Sequence, residues 1–369
     1  MIHLLKLLPK QGQSLSFQGL NPNTDIIDAS KETVTAALWS DNQTSLTTYH
    51  VATNLTTTQK AYYVNVYQKA PAETGSAVQF ALAYGDQRGS GSLNNGGGTL
   101  GDSPSKAIYS QYKQLLLSDS ETAFTFKTGS GTYTTDSIYV INIQRARSKE
   151  RLDPGNWELP LIGIDDRDSI ATGSVTVGIG SGSFTLIDNS SLESNTTTTE
   201  VADSYDVVSG SVTNGVFNTS APIYYGKVYP QHSVIVLDGR KLDEQLGFKT
   251  NTGSNSQGNN HYGLFHSISG SASSSFNTGF TARNKETISS TIYFVRLNNA
   301  DFNYSNNPSY VTGSDALITN AGYWTDPVSY ITSVGLYNGD NELLAIAKLS
   351  QPIKKDKKSE LNIRVKLDY

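Results

Sequence analysis

The chain has 369 residues, a formal net charge of −5 and no cysteine. Without cysteine there are no disulfides, thiolate-held zinc, iron–sulfur clusters or thiol catalysis, and an acidic balance argues against nucleic-acid binding, which calls for a basic excess. Charged residues make up 17% against a usual figure of about 25%; Ser, Thr, Asn and Gly fill the gap, strong helix formers are scarce, and 21 tyrosines favour half-buried strands.

The composition predicts a mainly β fold, and the length exceeds what one core usually fills. Several β-sandwich-like units with a few short helices are expected. The boundaries read as an extended arm over 1–30, a β-rich domain over 31–160 with one helix at 103–117, a Gly/Ser/Thr-rich middle over 161–225, and a C-terminal β domain over 226–369.

The opening MIHLLKLLPK is cut by Lys6 and ended by Pro9, far short of the roughly 20 apolar residues of a membrane helix. No membrane insertion is expected, and no small-residue cleavage site follows. Leu4, Leu5, Leu7 and Leu8 are too apolar for water, yet too few for an isolated helix, which needs about 12–15 residues. They are expected to dock on a neighbouring subunit; tucking back onto their own unit is the alternative.

AYYVNVYQ (61–68) is a strand by its β-branched and aromatic cluster, and residues 85–103 form a glycine-rich loop. SPSKAIYSQYKQLLL then predicts a helix, with Ser103 as N-cap, Pro104 at the first position and an apolar face of Ile108, Tyr112, Leu115 and Leu116. FTFKT and SIYVINIQRAR read as strands. If the second continues, Arg145, Arg147, Lys149 and Arg151 alternate onto one basic face. In an acidic chain such a face is expected to meet a carboxylate-bearing protein partner.

The middle shows short runs, SVTVGIG, SFTLID and YDVVSGSV, joined by tight turns. HSVIVLDG reads as a buried strand ending in an Asp-Gly turn, and RKLDEQLGF as a short helix closed by Gly247. STIYFVRL, SYITSVGLYN and ELLAIAKLS are strands, the last two joined by a hairpin turn at Asn338-Gly339-Asp340. In LNIRVKLDY, Leu361, Ile363, Val365, Leu367 and Tyr369 alternate with polar residues.

No catalytic template is met. There is no nucleophile elbow, and His261 and His266 stand five apart without a HExxH pattern, so both read as surface loop residues. GIGSGS (178–183) and the Gly96–Gly98 triplet lack the Lys of a phosphate loop. Asp165, Asp166 and Asp168 lack the calcium-loop spacing, and Lys354–Lys358 reads as a solvated loop. No cofactor, metal or catalytic residue is assigned.

SPSKAIYSQYKQLLL and SIYVINIQRARSKERLDPGNWELPL resemble virion structural proteins of T-even-like contractile-tailed bacteriophages, especially those of marine cyanobacteria. FTARNKETISSTIYFVRLNNADFNYSNNPSYVTGS, YITSVGLYN and ELLAIAKLSQPI…LNIRVKLDY resemble that family more strongly. These stretches cover somewhat under half of the chain. The resemblance implies a tail or baseplate subunit, assembled in the host cytoplasm, with other phage proteins and copies of itself as partners. A receptor- or carbohydrate-binding module is the alternative, with Trp39, Trp157 and Trp324 as stacking platforms; a polysaccharide-degrading enzyme is a second.

Overall fold

A computed structural model describes residues 4–7, 16–19, 26–51, 63–91, 103–163, 183–192, 197–198, 203–248, 260–273, 279–305, 310–312, 317–338, 340 and 342–368. The fold is mainly β, with 53% strand and 17% helix among the described residues and a large antiparallel sheet.

In chain order the strands begin with β1 (Leu4–Leu7), β2 (Ser16–Gly19), β3 (Ile26–Ala37), β4 (Ser45–Leu46), β5 (His50–Val51), β6 (Tyr63–Tyr67) and β7 (Val78–Asp86). Helix α1 (Pro104–Leu116) leads to β8 (Phe124–Thr128), β9 (Gly131–Thr135) and β10 (Ser137–Ile143). Then come α2 (Arg145–Ser148), β11 (Arg151–Ile162), β12 (Ser183–Asp188), β13 (Thr197–Thr198), β14 (Asp203–Ser211), β15 (Gly215–Val216), β16 (Tyr224–Tyr229) and β17 (Val234–Asp238). Helices α3 (Gly239–Leu246) and α4 (Asn260–Ser273) precede β18 (Phe280–Leu297), β19 (Val311–Thr312) and β20 (Leu317–Ile318). The chain closes with α5 (Gly322–Thr325), β21 (Val328–Tyr337), β22 (Leu343–Asp356) and β23 (Leu361–Asp368).

These elements group into two compact units, residues 34–286 and residues 1–33 with 287–369. In the larger unit an antiparallel sheet runs from the first residues of β18 through β11, β12, β14, β16, β17, β10, β7 and β6 to β5. Its central strands explain their own composition. In β10, Tyr139, Ile141 and Ile143 enter one core while Ile138 and Val140 enter the other; Ile235 and Leu237 of β17 divide from Val234 and Val236 in the same way. A strand buried on both faces reads as a near-continuous apolar run, hence IYVI in β10 and VIVL in β17.

The first core is closed by Leu242, Leu246, Leu264, Phe265 and Ile268 of α3 and α4. The second is closed by Tyr109, Tyr112 and Leu116 of α1 with Phe124 and Phe126 of β8. Helix α1 starts at Pro104 as its sequence predicts, but the Ser103 side chain makes no capping bond. Its buried face is centred on Tyr109, whose hydroxyl donates to the Thr135 carbonyl and accepts from the Phe124 amide, while Leu115 is exposed. The helix lies close over β7 because residue 85 is glycine: a Cβ there would come within 2.9 Å of the Tyr109 amide nitrogen.

Asp-Gly after β17 is a helix start rather than a turn. Asp238 caps α3 by accepting from the Arg240 amide, and Gly247 ends the helix in the left-handed conformation at φ 63°. In the smaller unit, β21 and β22 face β18 and β23 across a core of Tyr293, Val295, Leu297, Ile331, Val334, Leu336 and Ile363. The β21–β22 hairpin turns on Asn338, whose side-chain oxygen accepts from the amides of Asp340 and Glu342. Strand β23 alternates as expected, with Ile363 buried, Leu361, Val365 and Leu367 half-buried, and Asn362, Arg364, Lys366 and Asp368 exposed.

Candidate interaction surfaces

The basic residues after β10 do not form a strand face. After Ile143 the amides of Arg147 and Ser148 both bond the Gln144 carbonyl, so the chain coils into the one-turn helix α2. Lys149 then takes a positive φ of 54°, and β11 begins at Arg151. The turn is needed because β10 pairs with β7 and β17, whereas β11 pairs with β12 and β18. Strand alternation is lost and the cations separate.

Arg145 is exposed and donates from Nη1 to the Gln231 carbonyl at 3.0 Å. Arg147 is half-buried and donates to Ser40 Oγ at 3.0 Å; that hydroxyl also accepts from Gln79 Nε2 at 2.7 Å. Lys149 pairs with Glu286. Arg151 is half-buried and, like Arg147, holds its Nε away from water without a partner. Of the three arginines only Arg145 is exposed.

The leucine run also resolves in part. Leu4, Leu5 and Leu7 lie in β1, whose backbone pairs antiparallel with β2 and with β21, Leu4 opposite Tyr337 and Leu5 opposite Leu336. The backbone thus pairs within its own unit; Leu8 lies outside the described residues.

Two of the three tryptophans are core. Trp39 donates its indole N–H to the Phe280 carbonyl at 2.7 Å and packs on Phe80 and Phe280. Trp157, fully buried, donates to Asp188 at 2.5 Å. Neither can offer a ring to a sugar. Trp324 is 69% exposed, with its indole N–H tied to the Ile318 carbonyl. Beside it Tyr323 stacks on Tyr310 at 4.9 Å and Tyr304 meets Tyr310 edge-on.

The histidines are not in a surface loop. His261 and His266 lie on α4, and no residue of 260–272 is exposed. Burial pushes the His261 imidazole down to about 3 and lowers His266 as well; His261 Nε2 is buried without a partner. Ser267 on the same helix clasps β11, donating to the Ile162 carbonyl and accepting from its amide. Nor is Lys355 solvated: it lies in β22, fully buried, donating to the carbonyls of Asn299 and Asp356 and to Asn303 Oδ1.

Buried carboxylates are held by the chain's own donors. Asp188 accepts from the amides of Gly155 and Ser190 and from Trp157. Asp238 accepts from Thr135, Tyr133 and the Arg240 amide. Asp206 pairs with Lys127 at 2.8 Å, and Asp153 takes Asn156 and Lys285. Among the described residues no group of three His, Asp or Glu side chains is placed to hold a metal. Asp165, Asp166 and Asp168, residues 178–182 of GIGSGS and the 96–98 glycine triplet lie outside the described residues.

A surface the sequence concealed is the start of β22. In LLAIAK the bulky residues would ordinarily be assigned to the core, but Ala345 packs against it while Leu343, Leu344 and Ile346 are 49%, 53% and 50% exposed. The signal was present, since Leu344 and Ile346 alternate with alanines; only its direction was hidden. Strand β22 ends its four-stranded sheet, in the order β2–β1–β21–β22. No protein-family model, curated protein or solved structure matches this chain.

Proposed function

We propose that the protein is a structural subunit of a bacteriophage particle, in the contractile-tail machinery and specifically the baseplate, working by protein–protein contacts. The observation that carries this reading is the exposed edge of β22. Its first residues, with three half-exposed aliphatic side chains and a strand edge that is unpaired among the described residues, have the chemistry of a protein contact, since such an edge left in water invites pairing with another chain. The resemblance of the helix at 104–116 and of the C-terminal ninety residues to cyanophage virion proteins supports the same assignment. The buried acids are consistent with it: each is engaged in holding loops and strands, as a load-carrying scaffold requires.

Purified particles test it. Quantitative mass spectrometry is expected to find the chain at a copy number that is a multiple of three or six, and labelling is expected to mark the tail end. Particles of full infectivity that lack the chain would overturn the assignment. A second reading, a carbohydrate-binding tail module, is favoured by Trp324, whose exposed ring is held in orientation by its bond to Ile318 beside Tyr304, Tyr310 and Tyr323. Glycan-array binding lost in Trp324→Ala would support it.

A further inference from the structure

We propose that residues 342–348 join two copies of this chain by antiparallel strand pairing about a two-fold axis at Ala345. The proposal deepens the assembly reading by naming one partner and the residues that meet it.

The sheet edges among the described residues are not alike. Strand β23 carries exposed Arg364, Lys366 and Asp368, and Lys366 bridges Glu32 and Asp368; charges of this kind protect an edge from pairing. Strands β5 and β2 are two and four residues long. The far half of β22 is protected otherwise. Its pairing with β21 slips between Ile353 and Lys348, bulging out Leu349–Pro352, and Pro352 has no N–H to donate. Of these edges, residues 342–348 combine length with a run of apolar side chains set between two end charges, Glu342 and Lys348. β21 occupies one side of this segment.

The order of residues says what fits the other side. When the strand meets its own copy with Ala345 on the axis, Glu342 lies opposite Lys348, Leu343 opposite Ala347 and Leu344 opposite Ile346. Opposite residues of an antiparallel pair share a face. An acid therefore meets a base at each end, aliphatic meets aliphatic between, and the smallest side chain sits at the axis. Moving the axis to Ile346 sets Lys348 against Leu344, and setting it between Ala345 and Ile346 sets Lys348 against Leu343; either loses both ion pairs. A foreign strand would place no such self-complementary demand on this sequence, whereas a two-fold contact does. The local geometry agrees. A bulge opposite Leu336 and Tyr337 leaves Leu343 and Leu344 both exposed, and Glu342 is steadied on the edge by Asn338 Nδ2 at 2.7 Å.

Sedimentation velocity on the full chain from about 1 to 100 µM tests the pairing, with circular dichroism to verify folding. The wild type is expected to dimerise with concentration. Ile346→Lys and Leu344→Lys, both on exposed positions, are expected to remain folded monomers. Lys348→Glu is expected to weaken the dimer about tenfold, and adding Glu342→Lys to the same chain to restore it. A wild type that stays monomeric throughout, or a dimer indifferent to Ile346→Lys, overturns the proposal. A monomeric chain still present in virions would defeat the strand pairing and leave the assembly reading standing; dimers absent from virions would do the reverse.

Discussion

Removing the Asp188 carboxylate should unlatch one side of the larger unit. Between Leu152 and Trp157 the β11–β18 register slips and an Asp-Pro-Gly-Asn turn swells out of the strand. Asp188 holds that turn down: its oxygens accept from the Gly155 amide at 2.9 and 3.0 Å, from the Trp157 indole at 2.5 Å and from the Ser190 amide at 3.0 Å. In Asp188→Ala the fully buried Trp157 N–H loses its partner, at about 1–3 kcal/mol, and the two half-buried amides lose charge-assisted bonds that water replaces only in part, about 0.5–1.5 kcal/mol each. Relief of the carboxylate's own burial offsets some of this, leaving a loss of about 3 kcal/mol. Against a typical stability of about 5–15 kcal/mol that is a large fraction. Urea unfolding followed by tryptophan fluorescence measures it, in a Trp324→Phe background so that only Trp39 and Trp157 of the larger unit report. With a slope of about 3 kcal/mol per molar urea, the midpoint should fall by about 1 M. Gly155→Ala should act in the same direction, because φ is 76° there and a Cβ would lie 3.0 Å from Ser190 Oγ. A midpoint within about 0.2 M of wild type for Asp188→Ala would show that the carboxylate does not hold the turn.

Acid should weaken the larger unit through His261. Its folded-state value of about 3 lies below the ordinary 6.5, so the unfolded chain binds the extra proton and stability falls as pH drops from about 6.5 towards 3, by up to about 5 kcal/mol; His261→Gln should flatten that part of the urea-midpoint profile. Among the arginines, Arg145→Glu should change stability by less than about 0.5 kcal/mol, whereas Arg147→Glu, which breaks the Ser40–Gln79 bond network, should cost about 1–3 kcal/mol; equal effects in thermal melts would contradict the separation of their roles. Deleting residues 361–368 removes one buried and three half-buried apolar side chains from the smaller unit, about 4–8 kcal/mol as an upper bound. Protease resistance of residues 317–356 should be lost, and its survival would mean that β23 is dispensable.

Features that rest on short stretches of chain were legible in the sequence. The mainly β class follows from composition, β23 from strict alternation, α1 from Pro104 and its spaced aromatics, α3 from Gly247, and the last hairpin from Asn338. Each depends on neighbours within a few residues, whose sterics and hydrogen bonds act whatever the rest of the chain does. Long-range partners decided the remainder. Helix α4 was unreadable because a helix enclosed on every side needs no polar face and so shows no amphipathic period. His261, Trp39, Trp157 and Lys355 look like surface or site residues until strands far along the chain bury them. The arginine series alternates in sequence, but β10 and β11 belong to different parts of the sheet, and the turn between them overrides the alternation. Residues 1–33 share a unit with residues 287–369 because their strands pair across more than 300 positions, which no local pattern encodes. The outward face of LLAIAK follows the same rule: alternation shows that a strand has two faces, and only the elements packed against it decide which one meets water.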